Sequence, residues 1–131
     1  ELGLVGSEMC IRDRDNDPSG LYDILDDSFE FYSPAVFKSK EKYMGYIYLL
    51  AASQTFLTSD FKYTRQLVDE KQAVLEFECT MDGVTVNGID MFKWNENNKL
   101  TEMKVMIRTE KALEAVKQEM TKHLSNPEVW R

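Results

Sequence analysis

From residue 15 onward the apolar positions alternate between helical and strand spacing, with no repeat and no low-complexity linker. Asp17-Pro18-Ser19-Gly20 reads as a helix start, with an acidic or serine N-cap and proline near the first turn, and Leu21, Ile24 and Leu25 form its apolar side. Phe29-Glu30-Phe31-Tyr32-Ser33 has strand chemistry. Pro34 has no N–H to give to a ladder, so it confines that strand to an edge or ends it. A second helix starts at Ser39-Lys40-Glu41-Lys42. Tyr43, Tyr46, Ile47 and Leu50 recur along it at helical spacing and predict the face that closes over a sheet.

Four strands follow, near Phe61 to Val68, Ala73 to Met81, Val84 to Trp94 and Leu100 to Arg108. Asp82-Gly83 has the chemistry of a two-residue type I′ hairpin, and Asn95 to Lys99 is a polar turn of hairpin length, so neighbouring strands pair antiparallel. Ala73, Leu75, Phe77, Cys79 and Met81 alternate with polar residues, giving one wet face. The later strands are apolar on both sides, at Ile89, Met91 and Phe92 and again at Met103, Val105, Met106 and Ile107. That is expected where one face meets helices and the other a partner, and it predicts a homodimer. A last helix runs from Thr109 or Glu110 to about Leu124 with Ala112, Leu113, Val116 and Met120 on one side. Helices first and a long meander afterwards predict an α+β domain, with helices covering one face of a curved antiparallel sheet of four to five strands.

Asp90 breaks the apolar character of its strand. It shares a face with Val86, Phe92 and Trp94 unless a bulge at Gly88 resets the phase. A carboxylate there is costly unless it is paired, hydrogen-bonded or protonated. Two readings stand beside each other: an acid lining a pocket, or a structural carboxylate paired with Arg108, Arg65 or a backbone amide. Tyr32, Tyr43, Tyr46 and Tyr48 offer hydroxyls to a ligand or serve as core aromatics. Arg108 closes the last strand and either clamps a carboxylate or forms a surface ion pair. His123, the single histidine, falls near the end of the last helix and is read as solvent-facing.

Composition narrows the classes. With 131 residues, 43% of them hydrophobic and 30% charged, the chain can build one core. A net charge of −7 without a basic block argues against nucleic acid or an anionic membrane as the main partner. The most apolar stretch, Tyr43 to Ala52, is too short to span a bilayer, and a cytoplasmic location is the default expectation. Cys10 and Cys79 have neither metal-ligand spacing nor a disulfide framework, and Cys79 reads as a small buried hydrophobe. No ligand set for a metal and no cofactor motif is recognisable. The first fourteen residues, with Ser7-Glu8-Met9-Cys10-Ile11-Arg12-Asp13-Arg14, look like translated sequencing-adapter sequence and are read as non-native. The domain is then expected over 15–131, with its native first helix cut short.

Tyr32-Ser33-Pro34, the helix after Lys40, and the run Val86-Asn87-Gly88-Ile89-Asp90-Met91-Phe92-Lys93-Trp94 with the turn and Leu100-Thr101-Glu102-Met103 beyond it resemble a SnoaL-like member of the NTF2-like superfamily. The resemblance rests on element order and a loose pattern from Leu21 to the last helix. It implies a conical α+β barrel with a deep apolar pocket, often a homodimer through the sheet. The superfamily holds ketosteroid isomerase, polyketide cyclases, limonene epoxide hydrolase and scytalone dehydratase beside non-catalytic binders, so fold does not fix function. Asp90 falls where ketosteroid isomerase places its oxyanion-hole aspartate, an acid kept protonated by its apolar surroundings. Where the isomerase has an aspartate before proline as its base, this chain has Ser33, which disfavours steroid isomerisation.

Three function classes follow. One is a module binding a small hydrophobic molecule, its pocket drawn from Tyr32, Ser33, Tyr43 and Tyr46 with Phe77, Phe92 and Arg108. Another is a cyclase, dehydratase or epoxide hydrolase using Asp90 as acid or base. The third is a non-catalytic dimerisation domain.

Overall fold

The computed structural model describes residues 18–56 and 60–124. The adapter-like segment, Cys10 and the acidic N-cap expected before Pro18 lie outside them. A short helix α1 (Pro18–Asp23) leads into strand β1 (Leu25–Tyr32). Helix α2 (Lys42–Phe56) is followed by the strands β2 (Lys62–Asp69), β3 (Gln72–Met81), β4 (Val84–Trp94) and β5 (Leu100–Arg108). Helix α3 (Glu110–Thr121) closes the order.

The strands form one sheet in the order β1-β5-β4-β3-β2, an open curved surface that does not close into a barrel. β2 through β5 are antiparallel, joined by turns at Asp82-Gly83 and Asn95 to Lys99. Gly83 (φ 75°) and Asp82 (φ 50°) both adopt the left-handed conformation that a type I′ turn requires. β1 departs from the antiparallel expectation: it lies parallel to β5, with Leu25 opposite Leu100 and Phe31 opposite Met103. No hairpin ties β1 to its neighbour, so the turn chemistry that fixed the other directions never constrained it. β1 also begins earlier than expected, at Leu25, and ends before Pro34 as a sheet edge.

α2 and α3 cover one face of the sheet, and the buried side chains there form one continuous cluster from Leu21 to Leu124. The covered face of α2 is not the expected one. Gly45, Tyr48, Leu49 and Ser53 are buried, whereas Tyr43 is 58% exposed and Tyr46, Ile47 and Leu50 are half-buried. A two-residue displacement turns the helix by about 200°. The helix is apolar nearly all round, so periodicity left its phase open, and Gly45 sets it: a Cβ there would meet the Phe29 ring at 2.8 Å and Phe31 Cβ at 3.0 Å. The helix starts at Lys42, where the Glu41 carboxylate accepts from the Tyr43 and Met44 N–H groups, each at 3.1 Å.

The loop between β1 and α2 folds back on its own strand. Phe31 N–H donates to Lys40 O, and Lys40 N–H to Phe31 O, both at 2.8 Å. That return leaves Ser33, Pro34 and Ala35 at the border of the space between sheet and helices.

Candidate functional site

β4 is the middle strand, and its side chains alternate without a bulge at Gly88: Val86, Gly88, Asp90, Phe92 and Trp94 face the helices and are buried. Asp90 is therefore held at 7% exposure between Leu75 of β3 and Val105 of β5, its cross-strand neighbours. The Tyr63 hydroxyl, reaching in from β2, donates to Asp90 Oδ2 at 3.3 Å. β2 shifts register between Tyr63 and Arg65, and it is exposed along its whole length except at Tyr63, which is half-buried. A register shift of this kind turns a side chain off the regular pleat.

Two residues back along β4, Gly88 lies opposite Phe77. A Cβ on Gly88 would stand 2.5 Å from Phe77 Cζ and 2.6 Å from Met106 O, so the phenyl ring occupies space that only glycine leaves free. Phe61 stacks on that ring with centroids 5.1 Å apart, and Phe56 meets it edge-on at 5.6 Å. Phe61 also meets the Tyr63 ring edge-on at 5.0 Å. The result is an aromatic wall that begins at Gly88 and ends at the hydroxyl beside Asp90.

That wall bounds a cavity of about 270 Å³. Tyr48, Leu49 and Ser53 of α2, Met103, Val105 and Ile107 of β5, and Leu113, Val116 and Met120 of α3 complete it. Tyr48 is fully buried and stacked on Phe31 at 5.6 Å, and burial pushes its phenol pKa above the usual value, which keeps it protonated. The Ser53 hydroxyl donates to Leu50 O within its own helix. The lining is thus mostly apolar, with the carboxylate of Asp90 and its tyrosine as a polar point on the sheet side and the lysines Lys62 and Lys117 also on its border.

No protein-family model and no curated protein matches the chain. Solved structures do. A steroid delta-isomerase from Pseudomonas aeruginosa superposes with a TM-score of 0.83 at 28% identity, over 92% of this chain and 89% of that one. A bacterial protein with a cystatin-like fold from Silicibacter pomeroyi gives 0.80 at 23% identity, over 92% and 85%. An NTF2-like protein from Cytophaga hutchinsonii gives 0.56 at 15% identity, over 79% and 87%. The chain has an NTF2-like fold.

Within this NTF2-like fold the residues singled out by sequence divide into two groups. Asp90, Ser33 and Phe77 come together on the cavity. Ser33 acts there as a turn residue, because its Oγ accepts from the Ala35 N–H at 3.0 Å and the Val36 N–H at 3.1 Å. The others lie elsewhere. Tyr32 faces the outer side of the sheet under the Lys104 ammonium, 4.8 Å from its ring centroid, and Tyr46 packs edge-on against Tyr22 at 5.0 Å. Tyr43 is on the exposed flank of α2, and Phe92 is buried core two residues beyond Asp90. Arg108 pairs in register with Asn87, on the outer face and exposed. Arg65 is also outside, its Nε 3.2 Å from Glu76 Oε1, so neither arginine shares the face of Asp90. Sequence reasoning passed over Tyr63, Phe56 and Phe61. The alternation Phe61, Tyr63 ahead of the polar run Thr64 to Gln66 was the available signal. Among the described residues no group of three His, Cys, Asp or Glu side chains converges as a metal site, and no helix is long and apolar enough to cross a membrane.

Proposed function

We propose that this domain binds a small, largely apolar molecule in the cavity between sheet and helices, oriented by the Tyr63–Asp90 pair. The observation that carries the reading is a carboxylate held at 7% exposure on the wall of a mostly apolar space, whose other charged lining residues are Lys62 and Lys117. Such placement is costly for folding and is favoured when the group serves a ligand. At about 270 Å³ the cavity falls just under the roughly 300–1,000 Å³ that accommodates drug-sized ligands, which favours a compact occupant. The test is titration of the protein with 2-naphthol followed by fluorescence, repeated with Asp90→Asn. Saturable binding in the native chain, weakened several-fold in the variant, supports the reading; no saturable binding ends it.

The Tyr63–Asp90 hydrogen bond favours a second reading, in which the pair moves a proton on the bound molecule as in a cyclase, dehydratase or epoxide hydrolase. The likeness to a steroid delta-isomerase also supports chemistry in the cavity. Steroid isomerisation itself is not proposed, since Ser33 carries no carboxylate and its oxygen accepts two backbone hydrogen bonds. Turnover abolished in Asp90→Asn while binding persists would separate enzyme from binder.

The outer face of the sheet supports a homodimer. Leu67, Val74 and Met91 align across three strands by register, with Ile89 and Met106 in the next row. Leu67 is 60% and Met106 51% exposed, an apolar surface of the kind that a second copy covers.

A further inference from the structure

We infer that Phe77, seated over Gly88, sets the size of molecule the cavity accepts. The inference rests on the binding reading above and names what decides its selectivity. The Phe77 ring is the inner end of the aromatic wall: it is 1% exposed, stacked by Phe61, met by Phe56, and lies two residues along β3 from Leu75, the neighbour of Asp90. Its depth is fixed from behind. The absent side chain at Gly88 lets the ring sink until Cζ stands 2.5 Å from where a Cβ would be, and Met106 O closes the same spot. A ring so seated cannot retreat further to admit a longer ligand, and it does not swing forward because Phe61 lies stacked on its face. A ligand reaching toward Asp90 therefore meets a fixed stop, and its permitted extent is set by the ring.

The test compares 2-naphthol with the larger 1-hydroxypyrene. Both carry one hydroxyl for the Asp90 end, and their difference in hydrophobicity is common to every variant, so the change in their affinity ratio between variants reports the room at the ring. Removing the ring in Phe77→Ala is expected to shift that ratio toward 1-hydroxypyrene by about tenfold or more, with Phe77→Leu shifting it less in the same direction. Phe29→Leu is the control: Phe29 is equally buried but sits under Gly45 away from the cavity, so it lowers stability and leaves the ratio alone. Should Phe77→Ala fail to fold, Phe77→Leu decides. A folded Phe77 variant whose ratio stays within threefold of the native chain overturns this inference and leaves the binding reading intact. A native chain that binds neither compound overturns both.

Discussion

The Tyr63 hydroxyl donates to Asp90 Oδ2 across 3.3 Å, linking an edge strand to the middle strand of the sheet. The bond joins the most exposed strand to the most enclosed carboxylate, so it serves folding as well as any ligand. Tyr63→Phe deletes the donor and is expected to lower stability by about 1.5 kcal/mol. Asp90→Asn keeps an oxygen that accepts from Tyr63 and is expected to cost less. Urea unfolding of the two variants measures the order; equal costs would contradict it.

Gly88 and Gly83 are needed for different reasons, and alanine scanning separates them. At Gly88 a methyl meets the Phe77 ring and a backbone oxygen, so Gly88→Ala is expected to cost about 1–3 kcal/mol and to weaken 2-naphthol binding as the ring is pushed into the cavity. At Gly83 nothing lies within 4 Å and only the positive φ resists, so Gly83→Ala is expected to cost about 1 kcal/mol and leave binding unchanged. Thermal melts and the same fluorescence titration check both.

Asp26 predicts a pH dependence. The hydroxyl and N–H of Ser28 donate to Oδ2 at 2.6 and 3.0 Å, Asn95 Nδ2 donates to Oδ1 at 2.9 Å, and together with nearby Lys42 these hold the carboxyl below its ordinary pKa. A carboxyl with a depressed folded pKa contributes stability above its unfolded pKa of about 3.9 and loses it as pH falls through the folded value. Asp26→Asn is therefore expected to melt below the native chain at pH 7, with the gap narrowing below about pH 4. A gap that stays constant down to pH 3 would refute the assignment.

If the outer sheet face is covered by a second copy, the native chain will scatter light as a dimer. Met106→Glu combined with Leu67→Glu is expected to give monomers that remain folded by circular dichroism. Native chain already monomeric at high concentration would remove that proposal.

Much of the fold was legible because its signals are local. Asp82-Gly83, the alternation from Ala73 to Met81 and the amphipathic last helix each specify one element without reference to the rest. Asp90 was legible for the same reason, since a strand of period two assigns a face to every residue. The errors came where the answer depended on distant partners. The buried side of α2 is decided by Gly45 against Phe29 and Phe31, and no periodicity reports a close approach between two elements. Tyr63 reaches Asp90 through a register shift in an edge strand, Tyr32 and Arg108 face the far side of the sheet, and neither placement is written in local periodicity.

The parallel pairing of β1 with β5 has a consequence for how the chain is made. Leu25 leaves the ribosome about 75 residues before Leu100, the strand position it lies against. At about 5–20 residues per second that is a wait of several seconds, in which Phe29 and Phe31 have α2 to cover them but no strand beside them. The sheet can be finished only after its last strand is synthesised, so any slowing of translation between β2 and β5 lengthens the life of a nascent chain with a bare apolar edge. Chaperone demand in the cell should therefore track the pace of translation across β2–β5.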